Sequence, residues 1–297
     1  MKFVDRANLN EELWESWCSE ADPGMFSCLG YLDEVSENVV FLLNEQETGG
    51  IALPFKKRLG VTTLYTPKFM RYSTWVGKGQ PTKEELTECL QKRFSAAEWF
   101  AFDKYLTSEP KFLMHQLKQE VDGLRSQARR RLKEATKHEF QLEWSDDLKE
   151  ACAFIKDVLL EQIPTLNAKD FDLLHRLAEG LFKKDKLAIL RLKRPDEEKY
   201  LGYQLVLKDS KRWIFLKGAC EHKVKGDGGM YMMMNTIQQK AFENGAIFDF
   251  GGSRHDGIRK FNKSFGSEDV IYYHYSWNNA PMHFRLIKYF RDKWKKK

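Results

Sequence analysis

Apolar and polar positions alternate along this chain with two different periods, and the switches between them outline its elements. Positions 10–19 predict a helix opened by an Asn cap, with Leu13, Trp14 and Trp17 on one face. Apolar runs at 39–43, 50–55 and 61–65 are separated by the short polar turns 45–49 and 56–60, which predicts an antiparallel meander. A long loop over 66–81 leads to a helix from Thr82 to about Phe94, with Glu84 and Glu85 in its first turn, and then to a short strand over 99–102. Beyond Pro110 the pattern turns helical and strongly charged up to about Lys137, marking a passage between two halves.

The second half repeats this order on a larger scale. Helices are predicted over 146–162 and 169–182, and strands over 186–193, 200–207 and 212–220. There follow a helix over 229–244, a strand over 247–250, a short basic helix over 259–264, a strand over 270–277 and a terminal helix from Met282. Met230, Met233, Met234, Ile237 and Ala241 fall at helical spacing and read as a core face. No residue-level repeat relates the halves, so their kinship rests on element order.

Composition narrows the classes. With 297 residues, 42% of them hydrophobic, the chain can bury one large core or two of about 130 residues each, and the helical passage favours two. Its apolar runs are too short to span a bilayer and the first residues lack a signal-peptide core, so a cytoplasmic protein without membrane insertion is expected. Cys18, Cys28, Cys89, Cys152 and Cys220 are odd in number and form no C-x-x-C pair, which predicts reduced thiols rather than a disulfide framework or zinc ribbon. The histidines are dispersed, and no metal site is expected. A net charge of +6 is too mild to identify a nucleic-acid binder, and the basic tail Lys293, Lys295, Lys296 and Lys297 reads as a solvated terminus.

The densest chemistry lies in Gly245-Ala-Ile-Phe-Asp-Phe-Gly-Gly-Ser253 and Gly257-Ile-Arg-Lys-Phe-Asn-Lys-Ser-Phe-Gly266. A strand ending in Asp-Phe-Gly-Gly lets a backbone or ligand come close beside fixed charge. These residues resemble the C-terminal signature of the tandem-GNAT acyltransferases, the superfamily that includes the Fem-type aminoacyltransferases of peptidoglycan synthesis. The run Arg129-Arg-Arg-Leu-Lys-Glu-Ala135 is similar to the Arg-rich stretch that introduces the second domain in Fem-like proteins. The resemblance is densest from about Arg125 to Tyr275. It implies an α/β (α+β) fold of two GNAT-like domains in tandem, each a mixed, largely antiparallel sheet flanked by helices. The expected domains are 1–108 and 109–280, followed by a C-terminal helix and basic tail over 281–297.

Gly226, Gly228 and Gly229 precede a helix whose first-turn N–H groups suit an anion such as a pyrophosphate, and the resemblance places the acyl-CoA pyrophosphate there. Lys223-Val-Lys-Gly-Asp-Gly-Gly229 departs from the usual Gln/Arg-x-x-Gly-x-Gly/Ala spacing, and a plain Gly-rich turn with Asp227 as helix cap is the alternative. Lys225, Gly226, Gly228, Gly229 and Lys263 are the candidate cofactor-binding residues. In Fem-type enzymes a Phe-Lys-x-x-Phe-Gly lysine reaches a substrate phosphate; here Asn262 stands in that place. Lys263 faces about 100° further round the helix, which points away from a peptidoglycan aminoacyltransferase.

Acyl transfer to an amine needs a base for the nucleophile, donors for the developing oxyanion and an acid for the departing thiolate. Glu221 and His222 follow the third strand of the second half, where GNAT domains border the acceptor. They are candidate catalytic residues together with Asp249, which could instead hold the Gly251–Gly252 turn. Tyr65, Lys68, Arg71 and Tyr72 lie in a loop that resembles a cleft-facing loop of the first domain in tandem-GNAT proteins. With His255 and Arg259, they are candidate substrate-binding residues for an anionic or sugar-bearing ligand; an aromatic lid on the core is the alternative. Arg125, Arg129, Lys133 and Lys137 recur every fourth residue, a stripe that could track a tRNA backbone or simply face solvent.

The resemblance thus implies an N-acyltransferase that uses acyl-CoA, such as acetyl-CoA, to modify an amine of a small metabolite or cell-envelope precursor. An aminoacyl-tRNA-dependent transferase and a non-catalytic binding protein that has lost the cofactor turn are the alternatives. Acceptor, acyl group and oligomeric state are not encoded in any motif found.

Overall fold

The computed structural model describes residues 1–58, 60–107, 111–117, 123–163, 167–252 and 255–282. Two compact units divide the chain: Met1–Phe112 with Ile271–Lys297, and Leu113–Val270.

The first unit contains β1 (Lys2–Asp5), α1 (Glu11–Glu20), α2 (Leu29–Val35), β2 (Val39–Leu43), β3 (Gly49–Arg58), β4 (Val61–Tyr65), β5 (Trp75–Gly77), α3 (Lys83–Arg93) and β6 (Ala96–Ala101). Its sheet runs β1-β2-β3-β4-β6, with β5 paired to β3. The predicted meander β2-β3-β4 is antiparallel, and the crossover through α3 makes β4 and β6 parallel neighbours. Asn10 caps α1 by accepting from Leu13 N–H, and Trp14, Trp17 and Cys18 form its buried face. Thr82 and Glu85 close a reciprocal capping box at the start of α3, burying Leu86 and Leu90 below it. Thr82→Ala is expected to cost about 1 kcal/mol, read as a lower denaturant midpoint at unchanged slope; an unchanged midpoint would mean that water replaces the cap without loss.

The second unit contains β7 (Lys111–Leu117), α4 (Ser126–Thr136), β8 (Gln141–Trp144), α5 (Leu148–Gln162), α6 (Ala168–Phe182), β9 (Leu187–Lys193), β10 (Gly202–Lys208), β11 (Arg212–Cys220), α7 (His222–Gly226), α8 (Gly229–Glu243), β12 (Ile247–Gly252) and α9 (Asp256–Ser264). Its strand order is β7-β12-β11-β10-β9-β8, antiparallel except for β11 beside β12. Leu190 and Leu192 of β9 share a core with Ala128 and Ala135 of α4 and Met233, Met234, Ile237 and Ala241 of α8. The methionine-rich stripe is therefore core, as its spacing predicts. Strand residues alternate between faces, so Tyr203, paired with Arg191, looks the other way and packs on Phe154 of α5. Each unit is thus a mixed, largely antiparallel sheet flanked by helices, the fold class expected from element order.

Two elements differ from the sequence reading. Residues 111–117, read as helical, form β7 and pair with β12. Their apolar spacing fits either period, and pairing to a strand far away in sequence decides it. The last described strand, β13 (Glu268–Asn278), was expected beside the strands of the second half, yet residues 273–278 pair with β6. The predicted terminal helix lies outside the described residues apart from its first position, Met282.

Candidate functional site

Parallel neighbours β11 and β12 stay together for three rows, Arg212↔Ile247, Trp213↔Phe248 and Ile214↔Asp249. Beyond Ile214, β11 continues to Cys220 while β12 turns away to follow β7, with an irregularity between Asp249 and Gly251. On its other side β11 carries a bulge: Leu205 faces Lys217 but Val206 faces Phe215, leaving Leu216 as the extra residue. The two parallel strands therefore splay beyond Ile214, and it is at the C-terminal ends of such strands that a ligand can lie along a strand edge.

Asp249 fastens the bend. Its side chain is fully buried, with Oδ1 accepting from Gly251 N–H at 2.6 Å and Oδ2 from Arg212 Nη1 at 3.2 Å. Gly251 has φ +69°, a conformation glycine adopts without penalty. The carboxylate thus bonds both Arg212 and the Gly251 N–H, the contact that the turn-holding alternative expects.

Where β11 ends, Glu221 donates its N–H to Leu201 C=O and begins the single turn of α7. Its carboxylate is half-exposed and 3.6 Å from Lys223 Nζ, which is also held by Glu197. His222, the first residue of α7, is exposed. Asp227 does not cap α8; it pairs with Arg194 and lies 3.7 Å from His138 Nε2, so its negative charge is answered. The cap position belongs to Gly228, at φ +86°, where a Cβ would stand 2.3 Å from Arg131 C=O. The N–H groups of Gly229, Met230 and Tyr231 find no backbone acceptor among the described residues, as the first turn of a helix requires. Arg131 reaches in from α4 to donate to Gly226 C=O at 2.7 Å, and Lys225 donates to Gln162 Oε1. A Cβ on Gly226 would meet nothing within 4 Å. One turn thus combines open space, unused N–H donors and the cations Arg131, Arg194, Lys223 and Lys225.

Other expected site residues are dispersed or occupied. Lys263 of α9 pairs with Asp269, and Arg259 lies 3.8 Å from Asp256. His255 is exposed at the start of α9, and Asn262 is buried with no partner for its Nδ2 among the described residues. Ser253 and Arg254 lie outside the described residues. In the first unit, Tyr72 is buried against Phe26 and Phe102, and Met70 and Trp75 are buried beside it, so this part of the loop is core. Tyr65 carries Lys56 Nζ 4.0 Å over its ring, and its hydroxyl meets Ser36; Lys68 is exposed and Arg71 partly so. On α4, Arg125, Arg129, Arg130 and Lys133 face solvent, whereas Arg131 turns inward.

Arg131, His138 and Arg194 are the residues that sequence reasoning did not assign to the turn. Arg131 was visible within the Arg-rich run, but its inward direction depends on how α4 packs over Gly228. Arg194 and His138 carry no local signal.

Residues 123–260 match the family model of the GNAT acetyltransferase domain. No curated protein matches the chain in sequence. Among solved structures, FemX shares the fold at TM-score 0.68 and 14% identity, over 94% of this chain and 98% of that one. L-PGS from Bacillus licheniformis does so at TM-score 0.55 and 12% identity, over 95% and 96%. A tandem GNAT protein from the clavulanic acid biosynthesis pathway does so at TM-score 0.51 and 10% identity, over 94% and 99%. The splayed strands, the glycine turn and the helix that follows it all lie within the stretch that matches the GNAT acetyltransferase domain, and the chain as a whole shares its fold with FemX and the tandem GNAT protein.

Proposed function

We propose that the protein is an N-acyltransferase that draws its acyl group from acyl-CoA and passes it to an amine of a small metabolite or cell-envelope precursor. The observation that carries this reading is the separation of β11 from β12 beyond Ile214, directly ahead of a helix start at Gly228 whose donors are unused. The residues present fit a pyrophosphate: open space lies beside Gly226, three backbone N–H groups at the turn have no backbone acceptor among the described residues, and Arg194 pairs with Asp227, a carboxylate that would otherwise repel an anion. Gly229, Met230 and Tyr231 N–H, with Lys225 and Arg131, would hold that group. Acyl-CoA would supply an activated thioester. Glu221, at the open end of β11 and 3.6 Å from Lys223 Nζ, would take the proton from the attacking amine on a carboxylate oxygen. His222 is the neighbouring alternative, and neither Asp249 nor Lys263 is assigned a chemical role.

Release of the CoA thiol from acetyl-CoA, followed across a panel of primary amines, tests this. An amine-dependent rate is expected, and Glu221→Gln should lower kcat by about 10²–10⁴-fold with acetyl-CoA affinity little changed. Full activity in the glutamine variant would remove Glu221 from the chemistry.

A second reading, aminoacyl-tRNA-dependent transfer, is favoured by the outward face of α4, where Arg125, Arg129, Arg130 and Lys133 are exposed together. It predicts tRNA binding that falls steeply with salt, and a flat salt response would dismiss it.

A further inference from the structure

A buried amide in the sheet beneath α8 is left half-satisfied. Gln204 of β10 is fully buried and pairs with Leu190 of β9 on one side and Gly218 of β11 on the other. Its side chain reaches α8: Nε2 donates to Met230 Sδ at 3.0 Å and lies 3.9 Å from Met233 Sδ. Its Oε1 has no donor among the described residues. A thioether is a weak acceptor, so both ends of the amide are poorly answered. The oxygen lies over Gly218, where a Cβ would stand only 2.0 Å from it, so a glycine there leaves the amide its place. A buried carbonyl oxygen without a donor is costly, and an apolar side chain of the same length would pack against the two methionines without that cost.

We propose that Gln204 Oε1 accepts a hydrogen bond from an amide N–H of the pantetheine arm of CoA, an inference that rests on the acyl-CoA reading above. The neighbours of the amide set what the donor belongs to. Met230 stands in the first turn of α8, whose N–H groups are assigned to the pyrophosphate, and Gly218 comes shortly before Glu221, assigned to the reacting amine. Gly218 is only half-buried and lies on the stretch of β11 that has no β12 partner. The arm that joins pyrophosphate to thioester carries amide groups, and their N–H donors need acceptors once removed from water. Gln204 offers one that is uncharged, already out of water and placed across Gly218. Met230 covers it; that side chain is half-buried and unbranched, and turning about its own bonds frees the amide without moving the sheet.

The contact makes Gln204 a specificity residue. Any nucleotide with a polyphosphate can use the N–H groups of the turn, but ATP brings no amide past Gly218. Without ligand the orphaned oxygen weakens the fold; with CoA bound it is answered, so the ligand gains what the free protein lacks.

The test compares Gln204→Met with the wild type in the full chain, since methionine keeps the length and unbranched shape and removes the oxygen. Titration calorimetry uses CoA and phosphoadenosine diphosphate, the half of CoA that carries the pyrophosphate and lacks the pantetheine arm. The expected result is a CoA affinity lower by about tenfold, an unchanged affinity for phosphoadenosine diphosphate, and an unliganded melting temperature no lower than that of the wild type. Unchanged CoA affinity in Gln204→Met, or an equal loss for both ligands, would overturn the assignment and leave the acyl-CoA reading standing. A variant that melts below the wild type would show that the amide serves the core, and would overturn it too. A wild type that does not bind CoA would overturn the acyl-CoA reading itself, and this assignment with it.

Discussion

Asp249→Ala is expected to destabilise the second unit by about 3–5 kcal/mol, because it removes the buried carboxylate that pairs with the Arg212 guanidinium in a site with almost no solvent. The loss is larger than that of an exposed ion pair since both partners are buried. It also frees Gly251 N–H, so the β12 bend loses its internal acceptor at the same time. At about 2–4 °C per kcal/mol, the melting temperature should fall by more than any surface substitution would cause. Replacing both partners with apolar residues of similar volume should recover much of the loss. A single Asp249→Ala protein that melts with the wild type would show that the pair does not fasten the splay.

Gly228→Ala strikes the turn from two directions. At φ +86° the new side chain adopts a left-handed backbone that costs about 1–3 kcal/mol. The added carbon would also stand 2.3 Å from Arg131 C=O and 3.2 Å from Ala135 Cβ, neither of which can swing aside as a flexible side chain could. Relief requires α4 to back away from α8, and that movement withdraws Arg131 from Gly226 and re-aims the first N–H groups of α8. The expected outcome is a folded but weakened protein whose affinity for acetyl-CoA drops at least about tenfold, equivalent to 1.4 kcal/mol. Gly226→Ala, at a position with open space, is the matched control and should leave stability nearly unchanged.

How much of this was legible depended on whether the deciding interaction was local. Strand β11 was predicted at its observed bounds because its apolar run is framed by turn signals, and the α8 core stripe followed from helical spacing alone. The identity of β7 was not legible, since the deciding partner β12 comes more than a hundred residues later. The same holds for β13, whose pairing with β6 joins opposite ends of the sequence. At the site, the glycines announced the turn and the strand end, but the charges that tune them did not. Asp227 looked like a cap or an obstacle until Arg194 was seen beside it. Arg212 gave no sign that it would meet Asp249, although the turn-holding role of that aspartate could be anticipated from the two glycines after it. Tyr72 showed the converse: an aromatic-rich loop with flanking cations looks alike whether its rings face a ligand or, as for Tyr72, the core.

The central claim is that the splay and the Gly228 turn form an acyl-CoA site, and thermal unfolding with added ligand tests it most directly. Binding to the folded state alone stabilises by RT ln(1 + [L]/Kd), about 2.7 kcal/mol at a hundredfold excess over Kd. The wild type should be stabilised by millimolar acetyl-CoA and by CoA but not by ATP, and Gly228→Ala should lose that response. No shift with either CoA species, or an equal shift with ATP, would contradict the account.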